Sequence, residues 1–223
     1  MSNPLYTTIF HVASVLEIPV VVAAVVSLAL VVVEVGRLVV EVAMRSRRRP
    51  GLSRTRDLER AAGAARAALR SDERPRALSV LAPLAWSSPM ARAYEAIVAH
   101  HGSDAQANNN IAKDLADFDL SCQRRLARTR LLVRIGPALG LMGTLIPLTP
   151  ALDGLAKGNV RALTDNLRVA FSVTVLGLFV GAVAFGLSLI RDNLYGQDYS
   201  DLEYVAAILT DESTPAAAIE PPS

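Results

Sequence analysis

The chain has a single cysteine, Cys122, three histidines and few aromatic residues, 5% of the total. One cysteine excludes a disulfide-built scaffold. Two of the histidines, His100 and His101, are adjacent, so they do not share a helix face as zinc ligands four residues apart would. His11 stands alone near the start. No HExxH helix, phosphate-binding GxxxxGKS/T loop or Ser-His-Asp arrangement can be assembled from these residues. No enzyme activity, cofactor or metal is therefore expected. A large excess of one charge is also missing. The formal net charge is +2, which argues against a nucleic-acid partner.

Long apolar runs, by contrast, are plentiful. Mean hydropathy is +0.33 over 223 residues, and the apolar residues gather in blocks. Such blocks exclude an intrinsically disordered chain. Residues 18–33 carry no charge, and their apolar character continues to about Thr8 and Val42. Residues 135–152 and 169–190 are also uncharged. A helix needs about 20 mostly apolar residues to cross the hydrocarbon core. The sequence thus predicts an all-α integral membrane protein with three transmembrane helices, the second and third extended into a helical cytoplasmic domain. The first block does not read as a cleavable signal, because its basic cluster, Arg45 and Arg47 to Arg49, follows the block instead of preceding it. Arg124, Arg125, Arg128, Arg130 and Arg134 precede the second span, and Arg191 follows the third. The positive-inside rule then places the N-terminus outside and the C-terminus in the cytoplasm of a cell membrane, the inner membrane where there are two. These arginines also suit anionic headgroups of membrane lipids.

The expected organisation is an N-terminal segment and first span over 1–43, then a cytoplasmic helical region over 44–134. The second span (135–152), an external hairpin (153–168), the third span (169–190), a cytoplasmic helical extension (191–210) and a disordered tail (211–223) follow. In the polar region, Leu58 to Leu69 has helical spacing, and Ser88-Pro89 opens a helix to about His101. Gly102 to Asp104 reads as a turn. Ile111, Leu115, Phe118, Cys122 and Leu126 then form one apolar stripe on a helix that runs without a break into the second span.

The second and third spans differ from the first in being lined with small residues. Gly136, Gly140, Gly143 and Pro147 recur every three or four residues in one, and Ala170, Thr174, Gly177, Gly181 and Ala184 in the other. Each set falls on one helix face, where small residues let membrane helices pack closely. Pro147 and Pro150 are expected hinge residues, because each removes a backbone donor. Thr144 lies about 15 Å along the helix from Arg134, near mid-membrane. With Ser172 and Thr174 it could line a narrow polar path, though a lone threonine in such a helix often bonds only its own backbone.

The run LGLMGT (139–144), a short hairpin, and AFSVTVLGLFVGAVA (170–184) together resemble the MotA/TolQ/ExbB proton channel family. Order, spacing and topology all agree. The resemblance implies a homopentamer whose second and third spans surround a lumen. A single-span partner of the ExbD/TolR/MotB type would supply a membrane aspartate there. Ion-motive force would then drive mechanical or transport work. Thr144 and Thr174 match the family's pore-lining threonines. Two departures stand out. Val169 takes the place of a glutamate that several members carry, and about Val183 replaces a common proline. Spans two and three hold no Asp, Glu, His or Lys in their cores. If protons pass, a partner's carboxylate must serve. Glu17 and Glu34 lie near the ends of span one, where they can snorkel, Glu34 beside Arg37. The alternative is a non-conducting membrane scaffold of the same fold.

Overall fold

The computed structural model describes residues 15–48, 54–101 and 105–210. The expected N-terminal segment before residue 15, the turn at Gly102 to Asp104 and the tail from Asp211 lie outside the described residues. Among the described residues six α-helices occur in order: α1 (Glu17–Arg48), α2 (Arg54–Arg70), α3 (Arg74–Leu81), α4 (Ser88–Ala99), α5 (Ala105–Ala156) and α6 (Val160–Thr210). A short 3-10 turn, Ala82–Leu84, separates α3 from α4. No strand occurs among the described residues. Helices α1, α5 and α6 are each long and apolar enough to cross a membrane. The protein is therefore an all-α membrane protein with three spanning helices.

The helix ends follow from local chemistry. Pro19 stands in the first turn of α1, where a missing N–H costs nothing. Ser87 caps α4, its hydroxyl accepting from the Met90 N–H at 3.4 Å. Asp72 takes a left-handed φ of 57° and ends α2, with the Glu73 N–H donating back to the Ala68 carbonyl at 2.8 Å. Between α5 and α6 only Lys157, Gly158 and Asn159 are non-helical. Gly158 supplies φ +76°, and the Asn159 side chain accepts from the Ala162 N–H at 3.1 Å, capping α6.

At 1.5 Å per residue, α5 (52 residues) and α6 (51 residues) are each nearly 80 Å long. The hydrocarbon core is about 30 Å thick, so each helix runs well past it. Gly196 does not interrupt α6; it is exposed, and a Cβ there would meet nothing within 4 Å.

The chain divides into two compact units. The first comprises residues 1–38 and 126–190. Its apolar cluster is Val31 from α1, Leu132 from α5, and Val180 and Ala184 from α6. The second comprises residues 39–125 and 191–223. There the sequence-predicted stripe Ile111, Leu115, Phe118 and Cys122 is buried on α5, with Met90, Tyr94 and Ile97 on α4, and Leu202 and Val205 on α6. His100 Nδ1 meets Asp114 at 2.9 Å and ties the end of α4 to α5.

Candidate functional site

In the first unit, α5 and α6 meet backbone to backbone. A Cβ at Gly136 would lie 2.7 Å from the Gly177 carbonyl oxygen, and one at Gly177 would lie 2.5 Å from the Gly136 carbonyl oxygen. A Cβ at Gly140 would stand 3.2 Å from the Thr174 carbonyl oxygen, and one at Gly143 would run into the Val173 side chain. Real Cβ atoms do not approach backbone as closely as those at Gly136 and Gly177 would, so these two positions admit no side chain without a shift of the helices, whereas Gly140 needs its neighbour to give by a few tenths of an ångström and Gly143 needs the Val173 side chain to move. With no hydrophobic drive inside lipid, such close contact is what holds two membrane helices together.

Gly181 answers a different need. A Cβ there would press on the Pro137 ring at 2.8 Å and reach the Val133 carbonyl at 3.5 Å. Pro137 lacks the N–H that would otherwise bond Val133, so a glycine of α6 faces the place where α5 is one donor short. Pro147 and Pro150 likewise take the usual donor from Gly143 and Ile146, yet α5 stays helical through all three prolines. Pro147 is buried and Pro150 exposed.

The three hydroxyls expected to be functional all donate to backbone. Thr144 donates to the Leu141 carbonyl at 2.8 Å, and Ser172 to that of Arg168, also at 2.8 Å. Thr174 Oγ1 lies 3.0 Å from both the Ala170 carbonyl of its own helix and the Gly140 carbonyl of α5. A hydroxyl has one hydrogen and two lone pairs. With the hydrogen committed, each of the three can still accept but no longer donate.

Around this seam, the remaining sides of both helices are exposed and apolar. Leu141, Met142 and Leu145 lie outward on α5, and Phe171, Val175, Leu178 and Phe179 on α6, with Val175 67% exposed. The pair therefore offers apolar surface on more than one side.

Sequence inspection named Glu34 and Arg45 on α1 but missed that Ser27, Glu34 and Glu41 are buried on one face of it. Its buried positions are Val20, Ala24, Ser27, Val31, Glu34, Leu38 and Glu41, alternating by four and three residues. Arg45, partly buried, continues the series. Glu34 does not snorkel away: its side chain is 8% exposed, and the Arg37 guanidinium, 55% exposed, reaches it at 2.8 Å. Glu17 is half-buried. The signal lay in the alternation itself, since an acid in register with Val20, Ala24 and Val31 must share their face.

In the second unit, Glu41 and Arg45 join a buried charged cluster. The Arg45 guanidinium forks onto both oxygens of Asp198, at 3.0 and 2.6 Å, and also meets Glu41 at 3.3 Å. The Trp86 indole N–H donates to Asp198 Oδ2 at 2.7 Å, while Arg45 stacks 3.9 Å over the Trp86 ring. Tyr195 donates to Glu41 at 3.3 Å, and Arg191 stands 3.9 Å from the same carboxylate oxygen. Asp198 is 1% exposed and Arg45 12%. Burial, with Glu41 second, pushes the Tyr195 phenol up to about 12. Burial also pushes the Cys122 thiol up to about 11, which makes it a poor nucleophile. Among the described residues, no His/Cys/Asp/Glu group is arranged to hold a metal.

No curated protein matches the chain. A family model does, over residues 59–193, more than half of the length. That stretch contains the glycine-packed α5/α6 pair of the first unit, and on this match the chain belongs to the MotA/TolQ/ExbB proton channel family.

Proposed function

We propose that this chain is the channel-forming subunit of a homopentamer in the cell (inner) membrane, with its N-terminus outside and its long helical extensions in the cytoplasm. A single-span partner of the ExbD/TolR/MotB type occupies the lumen. Proton flow past the partner's membrane aspartate is converted into mechanical or transport work. The observation that carries this reading is the α5/α6 pair. Gly136, Gly140, Gly177 and Gly181 are used up within the subunit, yet the outer sides of the pair stay apolar, with Leu141, Leu145, Phe171, Val175 and Phe179 exposed. Apolar surface on more than one side of the pair suits lipid on one side and copies of the chain on another.

The hydroxyl chemistry suits a partner acid in its protonated form. Thr144, Ser172 and Thr174 have their hydrogens engaged with backbone carbonyls. Facing a lumen, they would accept a hydrogen bond from a protonated carboxyl or from water and have no donor for a carboxylate. The subunit itself brings no titratable side chain to the cores of spans two and three, so the proton must ride on the partner or on water. Pro147 and Pro150 sit where α5 lacks two backbone donors and are proposed to let its end flex.

The second reading is a non-conducting scaffold. Val169, where several members of the family have a glutamate, favours it. The deciding experiment is co-purification with a single-span partner from the same gene neighbourhood, reconstitution in liposomes and measurement of proton flux. Flux lost in Thr174→Val and kept in Thr174→Ser supports the channel. Absence of flux in the assembled native complex supports the scaffold. Native mass spectrometry of the same sample reads the subunit number.

A further inference from the structure

The buried face of α1 changes chemistry along its length. Up to Leu38 it is mostly small or apolar: Val20, Ala24, Ser27, Val31 and Leu38, with Glu34 the one acid among them. Within the second unit it is charged, with Glu41 and then Arg45 one turn on. A seam of valines and alanines fits nearly as well after a slide of one turn, because it repeats every three or four residues. Its valines, alanine and leucine do not by themselves record where α1 stands.

The charged end does record it. Arg45 uses both guanidinium amino groups on both Asp198 oxygens, and Trp86 fills a further lone pair of Oδ2. Glu41 faces Tyr195 and Arg191, about one and two turns before Asp198 on the neighbouring helix. A slide of four residues in one direction brings Glu41 against Asp198. In the other direction it brings Arg45 against Arg191. Both misplacements set like charges together in a buried site. Charges buried on a helix seam seldom add net stability over apolar side chains, and fixing register is their best-attested use.

We propose that Glu41 and Arg45 with Arg191 and Asp198 form a register lock, in which these positioning residues select one alignment of α1 against α6 and Trp86 holds Asp198 in place for the arginine fork. The lock is independent of whether the protein conducts, and its test needs neither a partner nor a flux.

The test uses the full chain in lipid nanodiscs, with Cys122→Ala as background. Spin labels go on Val39→Cys and Ala207→Cys, both exposed and well separated along the helix axes, and unlabelled chain is added in excess so that only intrachain distances are read by pulsed electron paramagnetic resonance. The native seam gives one narrow distance. Arg45→Met with Asp198→Leu gives a second population, its distance changed by several ångströms because a four-residue slide moves α1 by about 6 Å along its axis, with helix content retained. The exchange Glu41→Arg with Arg45→Glu moves the main distance by about one turn, since the arginine must slide to find Asp198. A cluster that merely glued the helices would lose order without choosing a new register. One unchanged distance in the apolar pair overturns the lock, and so does an exchange that shows no displaced population. If those variants fail to assemble, Asp198→Asn decides: a second, displaced distance supports the lock, and an unchanged or merely broadened one overturns it.

Discussion

Helix α1 buries the same face in both units, every third or fourth residue, but fills it with opposite chemistry. In the first unit that face meets an apolar cluster of Val31, Leu132, Val180 and Ala184. In the second it presents Glu41 and Arg45 to Tyr195, Arg191, Asp198 and Trp86. The same contrast separates the ways α6 is held. Residues 170–184 pack by lacking side chains, Gly177 against Gly136 and Gly140. Residues 191–198 pack by carrying charged ones. Close glycine contact tolerates no added atom but has few directional partners. A buried ion pair tolerates small volume changes but no unmatched charge. The two regions should therefore fail under different substitutions.

The largest effect is expected in the charged region. Asp198→Ala leaves the Arg45 guanidinium and the Trp86 N–H without their buried acceptor. Removing one partner of a buried pair typically costs about 3–5 kcal/mol. The thermal midpoint of the detergent-solubilised protein should fall steeply, and emission from Trp86, the single tryptophan, should report it directly. Asp198→Asn should cost clearly less, since it keeps the volume and one acceptor. Equal losses for Ala and Asn would show that the charge is not what matters.

Next comes the glycine region. Gly177→Ala puts a Cβ 2.5 Å from the Gly136 carbonyl and 2.7 Å from the Gly140 nitrogen, both backbone atoms that cannot swing aside. Overpacking of this kind costs about 1–3 kcal/mol. Gly36→Ala and Gly186→Ala, where a Cβ meets nothing within 4 Å, should leave the midpoint within error or raise it slightly. If Gly177→Ala proved as mild as Gly186→Ala, the backbone contact would not be holding the pair.

Much of the first region was legible in the sequence, for a physical reason. Glycine, alanine and threonine at spacings of three and four announce close packing, because few other roles account for small residues at that period in a lipid-facing block. What stayed hidden was Pro137. It sits in the same stripe region, but its partner Gly181 is 44 residues away, and only the pairing shows a ring filling the hollow. The second region was mostly illegible. Arg45 read as a topology signal next to Arg47 to Arg49, and its bond to Asp198 spans 153 residues of sequence. Trp86, after a short 3-10 turn, carried no periodicity to place it beside Asp198. Glu41 could have been found from its register with Val31 and Leu38, whereas its partners Tyr195 and Arg191 could not.

A smaller effect concerns Thr174. Its bond to the Gly140 carbonyl joins the two helices, and a net hydrogen bond is worth about 1 kcal/mol. Thr174→Val should lower the midpoint by that order, and Thr174→Ser, which keeps the hydroxyl, by less. On the proposed function the same Val variant abolishes flux while Thr144→Val weakens it, so function should respond far more than stability. Unchanged flux in both variants would leave the channel reading without its threonines.

The effect that is smallest near neutral pH distinguishes the regions in alkali. Cys122 and Tyr195, both in the second unit, are neutral when protonated, and their folded values are raised from 9 to about 11 and from 10 to about 12. The folded state therefore holds these protons more tightly than the unfolded chain. The stabilisation is complete below pH 9 and is lost as pH rises towards 11 and 12. At pH 9 the loss is only about 0.4 kcal/mol from Cys122, growing steeply over the next two units as Tyr195 joins. Trp86 lies in the same unit, so its emission should shift in alkali before any loss of the far-ultraviolet helical signal. Cys122→Ala should remove the onset near pH 9 and leave the part above pH 10. Tyr195→Phe should do the reverse, at the cost of the hydrogen bond to Glu41. The glycine region of α5 and α6 has nothing that titrates among Gly136, Gly140, Gly177 and Gly181. Any alkaline transition at pH 9–10 that survives both substitutions would have to come from elsewhere, and would break the assignment of pH sensitivity to the charged region.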